Sequence, residues 1–228
     1  MILKFQIKAP FIFLHFIIIL ALISGCRSRS ESRSEKEPEL RVSEPGWELL
    51  FDGKTMKNWE ISEFGPQGPV QVSEESIILG MGEGCTGVTW KGEFPRIGYE
   101  VKLEAKKISG NDFFCGITFP VADSYCSLIV GGWGGPVVGL SSIDGNDASE
   151  NETRLLKKFE HGKWYEIHLK VSDEKIEAWI DNEKLVDFNT TGHKLSTRPE
   201  VDLSKPFGIC SWNTTAALRN IQLNKSLK

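Results

Sequence analysis

Side chains that could do chemistry are concentrated between Asp144 and Arg154, where the sequence reads DGNDASENETR. Carboxylates can serve as general bases or cation ligands, amides bind hydroxyl groups, and an arginine can stabilise developing negative charge. Directly upstream, the apolar run SLIV gives way to GGWGG, so Trp133 stands among glycines that allow sharp turns and close approach of a ligand. We therefore predict that Trp133 and this loop form the rim of a functional groove. The competing interpretation is a solvated turn.

Standard motifs do not account for this loop. If Asp144 is position one of an EF-hand, Ser149 stands where the motif needs glycine and Leu155 where it needs a glutamate, so that motif fails. A looser calcium site formed by Asp144, Asp147 and Glu150 stays open as an alternative. The E-x-D-x-x-E strand of retaining glucanases and the G-x-S-x-G nucleophile elbow occur nowhere in the chain.

The elements that must position these residues have the periodicity of strands. In KWYEIHLKVS, residues 163–172, Tyr165, Ile167 and Leu169 fall on one face and His168 falls on the other. A period of two is typical of a strand with one solvent-facing side. Similar short runs separated by turns recur along the chain, and no segment shows a long helical period. The sequence therefore predicts an all-β fold, a two-sheet antiparallel sandwich.

The N-terminus carries the pattern of an export signal. Lys4 and Lys8 precede an almost wholly apolar run, which is too short for a membrane span and ends in small residues. The segment ISGC, ending at Cys26, resembles the bacterial lipobox, whose cysteine becomes the lipidated first residue of the mature protein. An ordinary cleaved signal is the alternative. We expect a lipoprotein signal peptide over residues 1–25, the lipidated Cys26 and a disordered tether over residues 26–44, and a folded domain over residues 45–228.

These N-terminal features predict a location and a partner. The protein is expected in the bacterial cell envelope, outside the cytoplasm, attached to a membrane through its N-terminal lipid. Without residues 1–25 the chain has 25 basic and 31 acidic residues, a net charge of −6. The arginines of the tether alternate with glutamates, which cancel their field. Nucleic acid is therefore not expected as a partner.

The remaining cysteines show no metal-binding or redox motif. They are not arranged as C-x-x-C, so the usual zinc and thioredoxin-like signals are missing; the four residues are Cys85, Cys115, Cys126 and Cys210. Cys115 and Cys126 lie on two predicted strands joined by a turn near Pro120 to Asp123, which would place them opposite each other. Such an arrangement would allow a disulfide between them, and the sequence leaves this open. Buried free thiols are the alternative, because the apolar neighbours suit both states.

Three segments resemble the bacterial 3-keto-disaccharide hydrolase family. They are GWELLFDGKTMKNWE at residues 46–60, GKWYEIHLKVSDEKIEAWIDNEKLVDF at 162–188 and KPFGICSWNTTAALRNIQL at 205–223. The resemblance implies a concanavalin A-like antiparallel jelly-roll β-sandwich. Two places depart from the family pattern: ICSWNTT stands where many members carry an aspartate and a histidine, and SYCSLIVGGWGG stands where members tend to carry a glutamate-containing strand. Both departures concern the chemistry rather than the fold.

A sandwich of the implied class has a concave face and rim loops that suit sugars. Aromatic rings pack against the C–H faces of a sugar, and carboxylates and amides bind its hydroxyls. The residues predicted to bind such a carbohydrate ligand are Trp133, Asp144, Asn146 and Glu150, with His168 and Trp179 predicted to line a second groove on a solvent-facing side.

The resemblance also implies a reaction. A ketone at the third carbon of a sugar acidifies the neighbouring C–H bond, so that one base and one stabiliser of enolate charge suffice to expel the glycosidic oxygen. Glu152 or Asp147 is predicted as the base and Arg154 as the stabiliser. The alternative function is a non-catalytic glycan-binding or structural module similar to laminin G domains and lectins.

Overall fold

The computed structural model describes residues 45–225. The predicted signal peptide, Cys26 and the predicted tether lie outside the described residues. Within them the chain forms strands and a single 3-10 helix, Pro199–Ser204. In chain order the strands are β1 Trp47–Leu49, β2 Trp59–Ile61, β3 Val70–Ser73, β4 Ser76–Leu79, β5 Cys85–Trp90, β6 Tyr99–Gly110, β7 Cys115–Val121, β8 Ser124–Gly132, β9 Val137–Ser141, β10 Leu155–Leu156, β11 Trp164–Val171, β12 Lys175–Ile180, β13 Glu183–Asn189, β14 Gly208–Trp212 and β15 Thr214–Asn224.

The strands form two antiparallel sheets. The back sheet has the order β13-β12-β11-β6-β15-β4-β3, with β1 also paired to β15, and the front sheet has the order β10-β9-β8-β7-β14-β5-β2. Neighbours in these orders are often far apart in the chain, as for β6 between β11 and β15. This architecture confirms the predicted concanavalin A-like jelly-roll sandwich. No helix of the described residues is both long and apolar enough to cross a membrane.

Strict alternation positions the back sheet on the core. In β11 the side chains of Tyr165, Ile167 and Leu169 are at most 2% exposed, whereas His168 between them faces outward. His168 is paired across the strands with Lys102 and with Trp179. Burying each large apolar side chain stabilises the fold by roughly 1.5–3 kcal/mol, so a shift of register by one residue would expose the whole inner face.

The front sheet is covered on both faces, unlike the back sheet. All residues of β7 and β9 are buried. The inner face of β7, β8 and β9 packs into the core through residues such as Ile117, Leu128 and Leu140, which are fully buried. The outer face carries small side chains, and the segments 142–154 and 190–205 fold over part of it. A cavity remains between this outer face and its cover.

The register of β7 and β8 decides between the two cysteine states that the sequence left open. Cys115 is opposite Val130, and Cys126 is opposite Phe119. The predicted turn began at Pro120, but β7 continues through that residue to Val121, which pairs with Ser124. The turn therefore lies two residues later than predicted and the cysteines do not face each other. The described cysteines, 85, 115, 126 and 210, are buried free thiols, which is one of the two states that the sequence left open.

Candidate functional site

The candidate site is a cavity of about 230 Å³ on the outer face of the front sheet. Its floor is formed by Ser127, Ile129 and Ser141, which are neighbours across β8 and β9. The two serines contribute hydroxyl groups to this floor, and Ile129 contributes an apolar surface. Two walls of different chemistry rise from this floor, one aromatic and one charged.

The aromatic wall comes from three separate segments. Phe113 and Trp212 lie with ring centroids 6.4 Å apart and planes tilted by 34°. Trp133 stands in the turn between β8 and β9 and is 40% exposed. Its φ of 49° is left-handed, and Gly134 and Gly135 continue the turn with φ of 81° and 113°. The glycines that surround Trp133 in the sequence therefore serve to turn the backbone and hold the indole at the cavity rim.

Asp112 connects two loops of this wall. One of its carboxylate oxygens accepts the backbone N–H of Phe113 at 2.8 Å, and the other accepts the backbone N–H of Gly134 at 3.2 Å. The loop before β7 and the loop that carries Trp133 are thereby joined. Asp112 lines the cavity, but both of its oxygens are already bound to the backbone.

The charged wall is built around Arg198. Its guanidinium donates to Asp147 at 2.8 Å and to Glu200 at 2.7 Å. The hydrogen bond from Arg198 holds the pKa of Glu200 below its ordinary value, against the opposing effect of desolvation. Arg198, Glu200 and Val201 line the cavity. Glu200 is therefore ionised at neutral pH and stands beside a cation.

The segment that carries Arg198 is fixed to the acidic loop by backbone pairing. Ser142 N donates to Ser196 O at 2.6 Å, and Ser196 N donates to Ser142 O at 3.1 Å. Asp144 accepts from His193 Nδ1 and from the Lys194 backbone N–H, each at 2.7 Å. The acidic loop and the segment before the 3-10 helix therefore form one cover over the front sheet.

The structure separates the residues that composition predicted together. Trp133 lines the cavity, and Asp147 reaches it through Arg198. Asp144 is used to hold His193 and Lys194 instead. The other predicted loop residues are exposed and do not line the cavity, namely Asn146, Glu150, Glu152 and Arg154.

The predicted calcium alternative finds no support in these positions. Among residues 45–225 there is no group of three or more histidine, cysteine, aspartate or glutamate side chains placed to hold a metal ion. Asp144 and Asp147 have different partners, His193 and Arg198 respectively. Asp144, Asp147 and Asn151 make contacts that fix the loop itself, whereas Glu150 and Glu152 are exposed.

His168 and Trp179 lie on the opposite side of the sandwich. Their rings stack at 4.8 Å with an interplanar angle of 22°, and His168 Nε2 lies 2.5 Å from Glu100. With Lys102, Glu166 and Asn182 they line a second hollow of about 210 Å³ on the outer face of the back sheet. Burial lowers the pKa of His168, against the raising effect of Glu100. The predicted shared face is present, but it is not part of the cavity.

Sequence reasoning missed most of the cavity. Arg198 and Glu200 stand in STRPEVD, a stretch without periodicity, and Arg198 reaches Asp147 across 51 positions. Phe113 and Trp212 stand in apolar, strand-like stretches, so the sequence did not distinguish them from ordinary core aromatic residues. Only the adjacent opposite charges around Pro199 hinted at a structured ion pair.

Known proteins resemble the chain in sequence family and in fold. A family model described as 3-keto-alpha-glucoside-1,2-lyase-like domain matches residues 46–224. No curated protein sequence matches the chain significantly.

Three solved structures illustrate the likeness in fold. A candidate glycosyl hydrolase from Parabacteroides distasonis is 16% identical, with a TM-score of 0.51, covering 79% of this chain and 94% of that chain. The Crh5 transglycosylase in complex with NAG is 11% identical, with a TM-score of 0.57, covering 79% of this chain and 84% of that chain. The carbohydrate binding module CBM66 from Bacillus subtilis is 11% identical, with a TM-score of 0.52, covering 78% and 99%. At these identities the likeness shows a shared fold.

Proposed function

Since the chain belongs to the family of 3-keto-alpha-glucoside-1,2-lyase-like domains, we propose that it is a carbohydrate-active enzyme that cleaves 3-keto-glycosides in the cavity of the front sheet. The observation that carries this proposal is the pairing of an aromatic wall, Phe113, Trp133 and Trp212, with a wall that holds Arg198 and Glu200. Aromatic rings suit the C–H faces of a sugar, and the charged pair suits its oxygens and reacting proton. The named ligands and activities of the structural neighbours, a transglycosylase with NAG and a carbohydrate binding module, support a sugar as the ligand.

The reaction we propose is an elimination. A base removes the proton from the second carbon, which the ketone at the third carbon acidifies. A double bond forms between the first and second carbons, the glycosidic C–O bond breaks, and the departing oxygen takes up a proton. Addition of water to the double bond completes a net hydrolysis. Only a base and a stabiliser of the enolate oxygen are needed from the protein.

Glu200 and Arg198 are the residues we propose for these two roles. Glu200 is ionised because Arg198 lowers its pKa, so it is ready to accept a proton. Arg198 has further N–H groups beyond those bound to Asp147 and Glu200, and these can meet an enolate oxygen. This assignment replaces Glu152 and Arg154 by residues that line the cavity, and it makes Asp147 the partner that orients Arg198.

A second candidate function is a glycan-binding module without catalysis. Two observations favour it: a carboxylate with a lowered pKa is a weaker base, and none of the histidines among residues 45–225 lines the cavity. His161 binds the Gly110 carbonyl at 2.9 Å, and His168 and His193 are bound to Glu100 and Asp144. In this case the cavity would hold a sugar without turning it over.

A turnover assay separates the two functions. The domain is incubated with a 3-keto-disaccharide, and the released monosaccharide is measured. We expect release by the parent, loss of release with retained binding in Glu200→Gln, and parental release in Glu174→Gln, an exposed carboxylate of the back sheet. If Glu152→Gln loses activity and Glu200→Gln does not, the loop assignment made from the sequence is the better one. Binding without any release would favour the module.

We also propose that the protein is a lipoprotein of a bacterial cell envelope, held outside the cytoplasm by Cys26. The support is the ISGC segment after a short apolar run. Cys26→Ser should release the domain from membranes or stall its processing, as measured by membrane fractionation. Unchanged partition would show that the cysteine is not an anchor.

A further inference from the structure

The floor of the cavity carries a hydroxyl group that the protein leaves unsatisfied. Ser141 is 1% exposed, and its Oγ has no hydrogen-bond partner among residues 45–225. The neighbouring Ser127 differs, because its Oγ lies 2.9 Å from Thr118 Oγ1 in a hydrogen bond. Buried polar atoms in folded proteins nearly always have a partner. The Ser141 hydroxyl is therefore available to a polar atom of a ligand that reaches the floor.

The charges around the cavity are mainly acidic. Among residues 45–225, Arg198 is the only cation that lines it, and this guanidinium is already shared between Asp147 and Glu200. Asp112 adds a second lining carboxylate on the opposite wall. The ammonium of Lys107 interacts with Asp112 without lining the cavity. An anionic ligand group would thus face the carboxylates of Asp112 and Glu200, with Asp147 behind Arg198, whereas a neutral oxygen would meet the O–H and N–H donors of the floor and the wall.

The size of the cavity sets a further limit. Its volume of about 230 Å³ is below the roughly 300–1,000 Å³ of pockets that enclose drug-sized ligands. One sugar ring, rather than a length of polysaccharide, is the appropriate occupant. A substituent that points into the cavity therefore meets one of the walls.

From this arrangement we infer that the cavity selects an uncharged sugar ring and rejects its acidic analogues, with Ser141 as the specificity-determining residue at the floor. The inference rests on the proposed function, because it takes the cavity to be the sugar site. The Ser141 hydroxyl donates to a hydroxyl or keto oxygen of the neutral ring. The carboxylates of the walls oppose a uronic acid, a sulfate ester or a phosphate ester.

Charge selection is tested with ligands that share one ring. Binding of methyl α-glucoside, its 3-keto derivative and methyl α-glucuronide is measured by calorimetry. We expect the neutral ligands to bind at least about tenfold more tightly than the glucuronide at low salt. Added salt should narrow the difference, because it screens the repulsion. Glu200→Gln should also narrow it, and Glu174→Gln should leave it unchanged.

The outcomes of this test separate the two proposals. Equal affinity for glucoside and glucuronide overturns the charge selection and leaves the sugar site in place. Failure of all three probes to bind overturns the proposed function, and the selection falls with it.

The role of Ser141 is tested against a matched control. Ser204 is also fully buried with an unpartnered Oγ, but it does not line the cavity. Ser141→Ala should weaken binding of the neutral probes about three- to tenfold, the effect of one neutral hydrogen bond, and Ser204→Ala should not. Ser141→Cys, which keeps the size and loses the strong donor, gives a second variant. Parental affinity in both Ser141 variants, with their folding verified by melting, overturns the assignment.

Discussion

Asn151 fixes the acidic loop, and its removal should cost more stability than that of any other loop side chain. Its Nδ2 donates to the carbonyls of Leu140, Asp147 and Asn146 at 2.8, 2.9 and 3.1 Å. Its Oδ1 accepts the backbone N–H and the hydroxyl of Thr153 at 3.0 and 2.6 Å. Two amide protons and two acceptor contacts amount to four hydrogen bonds, each worth roughly 0.5–1.5 kcal/mol net. Because water can replace some of them after loop rearrangement, we expect Asn151→Ala to destabilise the domain by about 2–4 kcal/mol.

Denaturation measures this cost directly. For a domain of this size the loss corresponds to a fall in Tm of about 4–16 °C. Asn146→Ala is the matched control, because this neighbouring asparagine is exposed and donates no side-chain hydrogen bond. It should change the free energy of unfolding by less than about 0.5 kcal/mol. If the two variants unfold within about 1 kcal/mol of each other, the loop does not depend on this network and our account of it is wrong.

Three further predictions concern Trp133 at the cavity rim and two titratable groups, Lys107 and His168. Trp133→Ala should weaken sugar binding by about 1–2 kcal/mol in calorimetry, taking the stacking of a ring on a sugar as comparable to an aromatic pair. It should lower Tm less than Leu169→Ala, because Leu169 is fully buried and its truncation costs about 2–5 kcal/mol of stability. Burial lowers the pKa of Lys107 from 10.5, so the unfolded chain binds more protons than the folded chain between the folded pKa and 10.5. The free energy of unfolding of the parent should therefore increase as pH rises through that range. Lys107→Met should show no such increase when its unfolding by urea is measured at the same pH values. Burial also lowers the pKa of His168 from 6.5, so the free energy of unfolding of the parent should decrease as pH falls from 6.5 through the folded pKa. The same measurement on His168→Gln should show a smaller decrease. A parent and variant with parallel pH profiles would contradict either assignment.

The fold was predictable because its signal is local. Alternation in β11, with Tyr165 and Leu169 inward and His168 outward, is set by a few neighbouring residues and by burial alone. The turn between β7 and β8 was less predictable. Proline usually interrupts a strand, but Pro120 stays in β7, so the turn begins two residues later than predicted and Cys115 does not lie opposite Cys126.

The site was predictable only in part because its parts are distant in sequence. Trp133 was identified from its glycine neighbours, which the turn requires. The oxygen-rich composition correctly indicated that residues 144–154 form a structured loop. Composition alone, however, does not distinguish a carboxylate that binds a ligand from one that accepts a backbone N–H. Asp144 is of the second kind. Backbone hydrogen bonds between Ser142 and Ser196 hold the segment that carries Arg198 and Glu200 at the cavity. No local sequence pattern predicts this contact.

The pairing of segments 142–154 and 190–205 also bears on the order of folding. Its contacts include hydrogen bonds and ion pairs of partly exposed side chains, as between Asp147 and Arg198, whereas the two sheets are held together by a large buried apolar core. The cover should therefore dock after the sheets have formed, and it should open in the native state at a lower free energy than global unfolding. Amide hydrogens of Ser142 and Ser196 would then exchange faster than those of β7 while the sandwich stays intact. If the cavity binds a sugar as proposed, the ligand should slow that exchange by a factor of about 1 + [L]/Kd, so two backbone amides would report the binding.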